Sequence, residues 1–419
     1  MEFISELSLD EYELFGKQHP LGRFMQLRGQ YNMNKQSKKV GCIGVKEDGR
    51  LVAGSTYFVD HARMGDIYSM WAGPLMDYSN QELVSFFFGE AERFFKQQGA
   101  LAIRVTPPLD AEQLDNQGKV VAQFNQSFVE LMVNSGYKHV EQHPVTDNRI
   151  PLIGLGYEYR KDLRPIHSVD ELRATYSKQA RNDIKRAEKL GVYIDRLSYD
   201  ELPEFKKQTA ATAERRSFAD KTLHFYQSAY QEYGDDVYYL MARLNLDDFI
   251  ARNKKEIEQL QQSIDKVDAR LEKKNTPKLQ RRKNEFLQQI KGKQRNITQA
   301  EDERKAYGNV LTLSGGMFCT HPQELAYLFS FNNKQFGNYH GQYLLQDYVM
   351  QIALKKHIPT YNFYMVTGNF DGSDGVLKFK QSFGGTPYRT IGWFEKPLKP
   401  ILYRVNQVIK TLIGHNDER

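Results

Sequence analysis

The sequence predicts an α/β protein of two mixed-sheet units, with an antiparallel helical arm inserted into the second. Three observations carry that expectation. Strand-like and helix-like stretches alternate through the first 160 residues and again on either side of the middle. Between those stretches, residues 250–305 turn rich in Lys, Glu, Gln and Arg and carry apolar residues at heptad spacing. A chain of 419 residues is also long for one hydrophobic core, which points to more than one structural unit.

The elements follow in order. Residues 40–45 and 51–58 read as two strands joined by a turn at Asp48-Gly49. Ser79 or Asn80 can cap the next helix, with Glu82 in its first turn. Leu83, Phe86, Phe87, Ala91 and Phe94 recur there at helical spacing and should face a core. Residues 100–105 (ALAIRV) read as a buried strand stopped by Pro107-Pro108, and 123–134 as an amphipathic helix. The second unit starts near 166. Its helices are expected over 169–190, 202–213 and 223–233, with strands in GVYIDRL and in DVYYLMARL from Asp236.

In the middle, Ile257, Leu260, Ile264, Val267 and Leu271 are spaced 3, 4, 3, 4, which makes a heptad seam. Pro277 interrupts it, and Leu279, Phe286, Ile290 and Ile297 supply a return stripe. A break of a few residues between two such stripes argues for a hairpin within one chain. An intermolecular coiled coil would show the same seam, and a helix running through Pro277 would lose a backbone hydrogen bond there. After the arm, residues 310–318 and 325–331 read as strands, 341–356 as a helix, 360–366 as a strand and 402–413 as a basic amphipathic helix. The expected division is 1–160 for the first unit, 161–245 and 307–400 for the two parts of the second, and 246–306 for the arm. Residues 401–419 form a terminal helix expected to pack on the first unit.

Bulk properties narrow the class. Cys42 and Cys319 are far apart, with no CxxC pair, so no disulfide framework, zinc site or other metal is expected. The first twenty residues lack the basic and apolar regions of a signal peptide, and no run of about 18 apolar residues occurs. A cytoplasmic protein is the expectation. The net charge of +6 permits an anionic partner without demanding one.

No dinucleotide fingerprint, P-loop, HExxH or GxSxG is present, and no loop for the pyrophosphate of an acyl-CoA is evident. No cofactor is expected, and chemistry here would rest on positioning and electrostatics. Three stretches could carry it. In residues 176–191, Arg181, Lys185 and Lys189 are four apart on one helical face, with Arg186 to one side. That face suits a polyanion such as a tRNA backbone, although a solvated charged face looks the same. In GVLKFKQSFGG, residues 375–385, Lys378 and Lys380 alternate with Val376, Leu377 and Phe379 as on a strand, before Gly384-Gly385. A lysine there could stabilise an oxyanion, and an edge strand defended by lysines would share the pattern. In residues 332–350, Tyr339 and Tyr343 alternate with glycines and could line a sugar or peptide pocket, or simply fill a core. His340 has no His or Cys partner nearby for a metal.

Taken together, GPLMDYSNQELVSFFF, RNDIKRAEKLGVYIDRL, AERRSFADKTLHFYQ, the heptad arm, YNFYMVTGNF and GVLKFKQSFGG closely resemble the Fem family of peptidoglycan bridge-forming aminoacyltransferases, within it the FemA/FemB type. The resemblance runs nearly end to end. It implies two acyl-CoA N-acetyltransferase-like domains with the coiled-coil arm in the second. It implies aminoacyl-tRNA as donor and a lipid-linked disaccharide-pentapeptide precursor as acceptor, met by peripheral membrane contact at the inner face of the cell membrane. Self-association, or association with related transferases, stays open. The expected product is an amide on the stem peptide or on a growing bridge.

Residue by residue, the resemblance places Lys380, after Phe379, at the family's catalytic lysine. It places Lys35 near an early phosphate-contacting lysine, and Lys221 where a short member has a phosphate-contacting arginine. Lysine keeps that charge but loses the bidentate fork. Thr106 stands where many members carry an aspartate before proline, and WAGP at 71–74 lacks the basic residue related chains often have there. The expected site is therefore Lys380 and Lys378 for catalysis, Lys35, Lys221, Tyr339, Tyr343 and Phe379 for substrate, and Arg181, Lys185, Arg186 and Lys189 for tRNA. The rival readings are an acyltransferase of the same fold with a non-tRNA donor, and a non-catalytic tRNA-binding scaffold.

Overall fold

The computed structural model describes residues 1–144, 156–216 and 219–414, and residues 415–419 of the expected terminal helix fall outside it. Chain order already shows how two sheets share the sequence. A first sheet is started by β1 (Glu2–Ile4), α1 (Leu9–Gln18), α2 (Arg28–Lys35), β2 (Val40–Glu47), β3 (Arg50–Ala62), β4 (Gly65–Trp71), β5 (Leu75–Met76), α3 (Gln81–Gln97) and β6 (Ala102–Thr106). The β2–β3 turn places Asp48 at φ +49° and Gly49 at φ +77°, which fits the twist of a two-residue hairpin. Asn80 is the cap of α3, its side chain accepting from the Leu83 amide.

The chain then leaves for the second sheet as the hairpin β7 (Asp110–Leu114) and β8 (Val120–Gln123). It returns through α4 (Gln126–Asn134) and β9 (Lys138–Val140), then enters the second sheet with β10 (Tyr157–Asp162). Next come α5 (Val169–Ala174), α6 (Lys178–Leu190), β11 (Tyr193–Arg196), α7 (Leu202–Arg216), α8 (Leu223–Tyr233) and β12 (Val237–Asn245). The long helices α9 (Leu246–Lys273) and α10 (Pro277–Tyr307) interrupt the sheet before β13 (Val310–His321), β14 (Glu324–Asn332), α11 (Gly341–Lys355), β15 (Thr360–Val366), α12 (Gly375–Gln381) and β16 (Thr386–Thr390). Finally β17 (Trp393–Pro397) rejoins the first sheet and α13 (Pro400–Gly414) follows.

The sheet orders are β1-β2-β3-β4-β6-β17-β9, with β5 beside β3, and β11-β12-β13-β14-β15-β10-β16-β7-β8. Sheet membership therefore does not follow a cut at residue 160: the β7–β8 hairpin and β17 are exchanged between the sheets. Each sheet has one parallel pair made by a strand–helix–strand crossover, β4 with β6 across α3 and β14 with β15 across α11.

Packing explains the layers. Phe87, Ala91 and Phe95 of α3 bury against Tyr68 and Ile103 of the first sheet. On one face of the second sheet, Ile184 and Ala187 of α6 meet Leu345 and Val349 of α11. On the other face, Phe205 and Tyr226 pack on Tyr239, and Phe24 and Leu27 from the N-terminal segment join that cluster. The N-terminal segment thus spans both sheets.

The helical pair α9–α10 closes within one chain. Ile264, Val267 and Ile290 are buried between the helices, and ion pairs Asp247–Arg304, Glu256–Lys293 and Asp268–Lys283 nest from root to tip. Thr276 caps α10, its hydroxyl accepting from Leu279, and Pro277 occupies the first turn, where its missing N–H costs nothing. The seam read from the sequence is filled by its own return stripe.

Two expectations are corrected. The single helix over 169–190 is two, because Ser177 starts a new one by accepting from the Ala180 amide, and its own amide is held by the Ser382 carbonyl. Residues 375–381 form a helix, not a strand. Asp374 caps it by accepting from Val376 and Leu377, and the inward residues Leu377, Lys380 and Phe383 recur every three positions.

Candidate functional site

The parallel pair of the second sheet splays. β14 and β15 pair only at Leu325↔Tyr361 and Ala326↔Asn362, although both strands continue. On its other side β15 bulges against β10. The register passes from Arg160↔Asn362 to Glu158↔Met365, with Tyr364 in the left-handed region at φ +63°. A non-glycine residue there is strained and must be held by its surroundings.

A buried polar network fills the opening. Glu158 is fully buried, yet its carboxylate accepts from Arg23 Nη1 at 3.0 and 3.1 Å and from Arg160 Nε at 2.6 Å. Arg160 also grips Asp110 of the exchanged hairpin with two bonds of 2.7 and 2.9 Å. Asn362 Nδ2 donates to Glu158 Oε2 at 3.1 Å and to Glu324 Oε2 at 3.0 Å, while its Oδ1 accepts from the Tyr364 amide at 2.8 Å. Burial alone would raise the Glu158 carboxyl, but Arg160 and Arg23 outweigh it and hold it down at about 2. Burial wins at Glu324, whose carboxyl is raised and whose Oε1 has no hydrogen-bond partner among the described residues.

Lys380 reaches this network from α12. It is only 5% exposed and its ammonium donates to the Met365 carbonyl at 2.5 Å, just past the bulge. Burial pulls it down to about 7, with Asp374 and then Glu158 opposing that fall. A second buried lysine, Lys161, has a different task. It donates to Thr175 Oγ1 and to the Phe383 and Gly384 carbonyls at 2.6–2.9 Å, tying down the turn after α12. Gly384, at φ +70°, lies against the Thr175 carbonyl, where a Cβ would come within 2.6 Å.

The other sequence-derived residues fall into groups. Lys378 is exposed on the opposite side of α12 from Lys380, since two positions along a helix turn about 200°. Phe379 and Tyr343 do meet, with ring centroids 5.1 Å apart, and with Phe383 they make an aromatic wall beside Lys380. Tyr339 is corrected to a core residue. It is buried against Phe249, its hydroxyl donates to Glu303 at 2.6 Å, and it pins the root of the helical pair.

Lys35 and Lys221 lie on the α2–α8 layer, apart from the Lys380 network. Lys35 is exposed at the end of α2, and Lys221 precedes α8 with its ammonium over the rings of Phe225 and Phe329, at 5.2 and 6.0 Å. The two helices are joined by Asn32–Glu232 and by Tyr233–Gln30 hydrogen bonds. Lys185, Arg186 and Lys189 are exposed on α6, while Arg181 is partly buried and donates to the Ala174 carbonyl at 3.3 Å. The end of α6 meets the root of α9, where the Arg252 guanidinium occupies the space a Cβ at Gly191 would need.

Sequence reasoning missed Arg23, Asp110, Glu158, Arg160, Glu324 and Asn362. One signal was readable: YEYRKD in β10 places Glu158 and Arg160 two apart, on one face of a strand, where opposite charges signal a buried pair. Among the described residues, no group of three or more His, Cys, Asp or Glu could hold a metal ion, and no helix is long and apolar enough to cross a membrane.

Comparison with known proteins places this geometry. The model of the FemAB family matches residues 7–411, so the chain belongs to that family. Aminoacyltransferase FemA of Staphylococcus epidermidis is 28% identical over 416 residues, covering 97% of this chain and 99% of the relative. Aminoacyltransferase FemA of Staphylococcus aureus is 28% identical over 414 residues, covering 97% and 98%. Among solved structures, a crystal structure of FemX superposes with a TM-score of 0.79 at 21% identity, covering 97% of this chain and 99% of that one, which shows a shared fold.

Proposed function

We propose that this FemAB-family chain uses Lys380 to transfer an amino acid from aminoacyl-tRNA to the stem peptide, or to the growing interpeptide bridge, of a lipid-linked peptidoglycan precursor. The chain is an aminoacyltransferase, a reading its full-length aminoacyltransferase relatives support. The observation that carries the assignment is the buried amine of Lys380 beside the splayed strand pair, where it meets the Met365 carbonyl and burial pulls it down to about 7, while the other buried lysine, Lys161, is held by three oxygens.

The chemistry needs little beyond orientation and charge. The donor ester is already activated, so the acceptor's neutral amine attacks its carbonyl carbon and a tetrahedral oxyanion forms. The Lys380 ammonium stabilises that oxyanion. Collapse breaks the bond to the ribose oxygen, which leaves and takes up the proton that the attacking nitrogen gives up as the amide forms. Tyr343 and Phe379 would flank the substrate beside Lys380. Lys35 and Lys221 would neutralise phosphates of the acceptor, and Arg181, Lys185, Arg186 and Lys189 would meet the tRNA backbone. Contact with the lipid surface is supported by α13. Ile401, Val405 and Val408 form an exposed apolar stripe there, and no acidic residue occurs from Lys396 to Asn416.

The test is direct. Purified protein is offered a panel of charged tRNAs with acceptors of different bridge lengths, and products are identified by mass. Ribonuclease-sensitive amide formation is expected. Transfer from acyl-CoA that survives ribonuclease would replace the donor, and tRNA binding without any product would leave a scaffold.

A further inference from the structure

We propose that Asn362 is a positioning residue for Lys380: it clamps Tyr364 in its left-handed conformation and so turns the Met365 carbonyl onto the lysine. The inference rests on the assignment of Lys380 above.

The reasoning follows hydrogen bonds. A tyrosine at φ +63° is strained by its Cβ and keeps that conformation only if something holds it. The Asn362 Oδ1 accepts the Tyr364 amide at 2.8 Å, and it is the side-chain group that fixes this amide. The amide of Asn362 cannot turn over, because its Nδ2 donates to two carboxylates, Glu158 at 3.1 Å and Glu324 at 3.0 Å. Reversal would aim its oxygen at both. With Tyr364 so held, β15 bulges and the next carbonyl, Met365, meets the Lys380 ammonium at 2.5 Å. Asn362 is fully buried and its side chain bonds Glu158, Glu324 and the Tyr364 amide, so its route to Lys380 runs through the backbone. The charged groups that Lys380 feels are Asp374 on its own helix and Glu158 on β10. The carbonyl accepts only from the protonated amine's side of the equilibrium with full strength, so its position tunes the lysine's charge.

The experiment reads Lys380 without relying on transfer. The intact protein is labelled briefly with an amine-reactive reagent across a pH series, and modification of Lys380 is quantified by mass. Single-turnover transfer is measured beside it. Asn362→Ala is expected to lower the Lys380 labelling midpoint and to slow transfer about tenfold. Asn362→Asp keeps an oxygen for the Tyr364 amide, and its other oxygen, facing Glu158 and Glu324, is held protonated and can still donate, so the clamp stays and the midpoint should not fall. Adding Tyr364→Gly, which takes a positive φ without a Cβ penalty, should restore much of what Asn362→Ala loses. A general loss of packing would not be rescued that way.

An unchanged or raised midpoint in Asn362→Ala, or a lowered one in Asn362→Asp, overturns the proposal. If Asn362→Ala does not fold, Asn362→Asp decides alone. Transfer at the parent rate in Lys380→Met would instead remove the functional reading, while the labelling shift still tests the clamp.

Discussion

The two sheets carry the same device, a strand, a crossover helix and a parallel strand, but one is closed and the other open. In the first sheet β4 and β6 stay paired from Ile67↔Ala102 to Trp71↔Thr106. In the second, β14 and β15 part after Ala326↔Asn362, and a bulge at Tyr364 bends β15 further. One face of the closed junction is lined by the buried apolar residues Tyr68, Met70, Ile103 and Val105, and on the other face Arg104, opposite Ser69, pairs with Glu395 at 2.7 Å. The open one buries Glu158, Glu324, Asn362 and Lys380. A closed ladder satisfies its own backbone and needs only apolar packing. An open one frees carbonyls and room for charge, and every buried charge must then find a partner. The difference is what the proposed reaction would use at the second junction.

The strongest way to break that comparison is Lys380→Met. Removing a charge that stabilises an oxyanion costs roughly 3 kcal/mol, or about a hundredfold or more in rate. Single-turnover transfer should therefore collapse while tRNA and precursor binding hold. Stability should move the other way. Folding lowers this lysine from its ordinary value to about 7, so between there and about 10.5 the unfolded chain binds the extra proton. The parent should gain stability as pH rises through that window, and Lys380→Met should flatten the rise. The variant should therefore be more stable than the parent at pH 7. Near-parent transfer would put Lys380 outside the reaction, and a destabilised variant would mean that the buried amine is better paired than its surroundings suggest.

Next in size is the basic face of α6, which lies on the open sheet and not on the closed one. Reversing Arg181, Lys185 and Lys189 to Glu should weaken tRNA binding about tenfold or more. It should also lower the salt slope by roughly three phosphates' worth. An unchanged slope would make this face mere solvated surface.

A smaller effect should come from Asp374→Asn. Asparagine still caps α12, but the carboxylate that most strongly opposes the fall of Lys380 is gone. If the ammonium form is active, the loss of rate at high pH should begin at a lower pH, with transfer at pH 7 about threefold slower. A rate that instead falls on the acidic side, with that limb moved to lower pH and faster transfer at pH 7, would make Lys380 a base.

What the sequence disclosed divides along the same line. Period carried the closed sheet and the helical pair. The apolar spacing of α3, the Asp48-Gly49 turn and the seam from Ile257 to Leu271 all state their own structure locally. The open junction was largely illegible, because its partners are distant in sequence. Arg23, Asp110, Glu158 and Asn362 meet only when four chain segments converge, and no local pattern records that. The α12 segment misled because Lys378 and Lys380 alternate with apolar Leu377 and Phe379 over a few residues. The true period of three shows only from Leu377 through Lys380 to Phe383. Lys380 itself was found through resemblance, and its burial and its carbonyl partner were not.

The smallest expected effect is the sharpest test of the comparison, because it holds chemistry fixed and varies only place. Ile103 and Leu325 are both fully buried, one in each parallel pair, at Tyr68↔Ile103 and at Leu325↔Tyr361. Truncating either to alanine removes buried methylenes and leaves a cavity, which costs about 2–5 kcal/mol in such cores. Denaturant unfolding should therefore show similar losses for Ile103→Ala and Leu325→Ala. Their rates should differ. Ile103 sits in a closed ladder whose nearby ion pairs, Arg104–Glu395 and Lys396–Glu92, do not involve Lys380, so its variant should transfer within about the error of the parent. Leu325 neighbours Glu324, and Ala326 pairs with Asn362, so slack there loosens the last rung before the splay. Its variant should transfer two- to threefold more slowly and show a shifted pH limb. Equal rates in the two variants, at equal loss of stability, would mean that the open junction is an accident of folding and not the seat of the reaction.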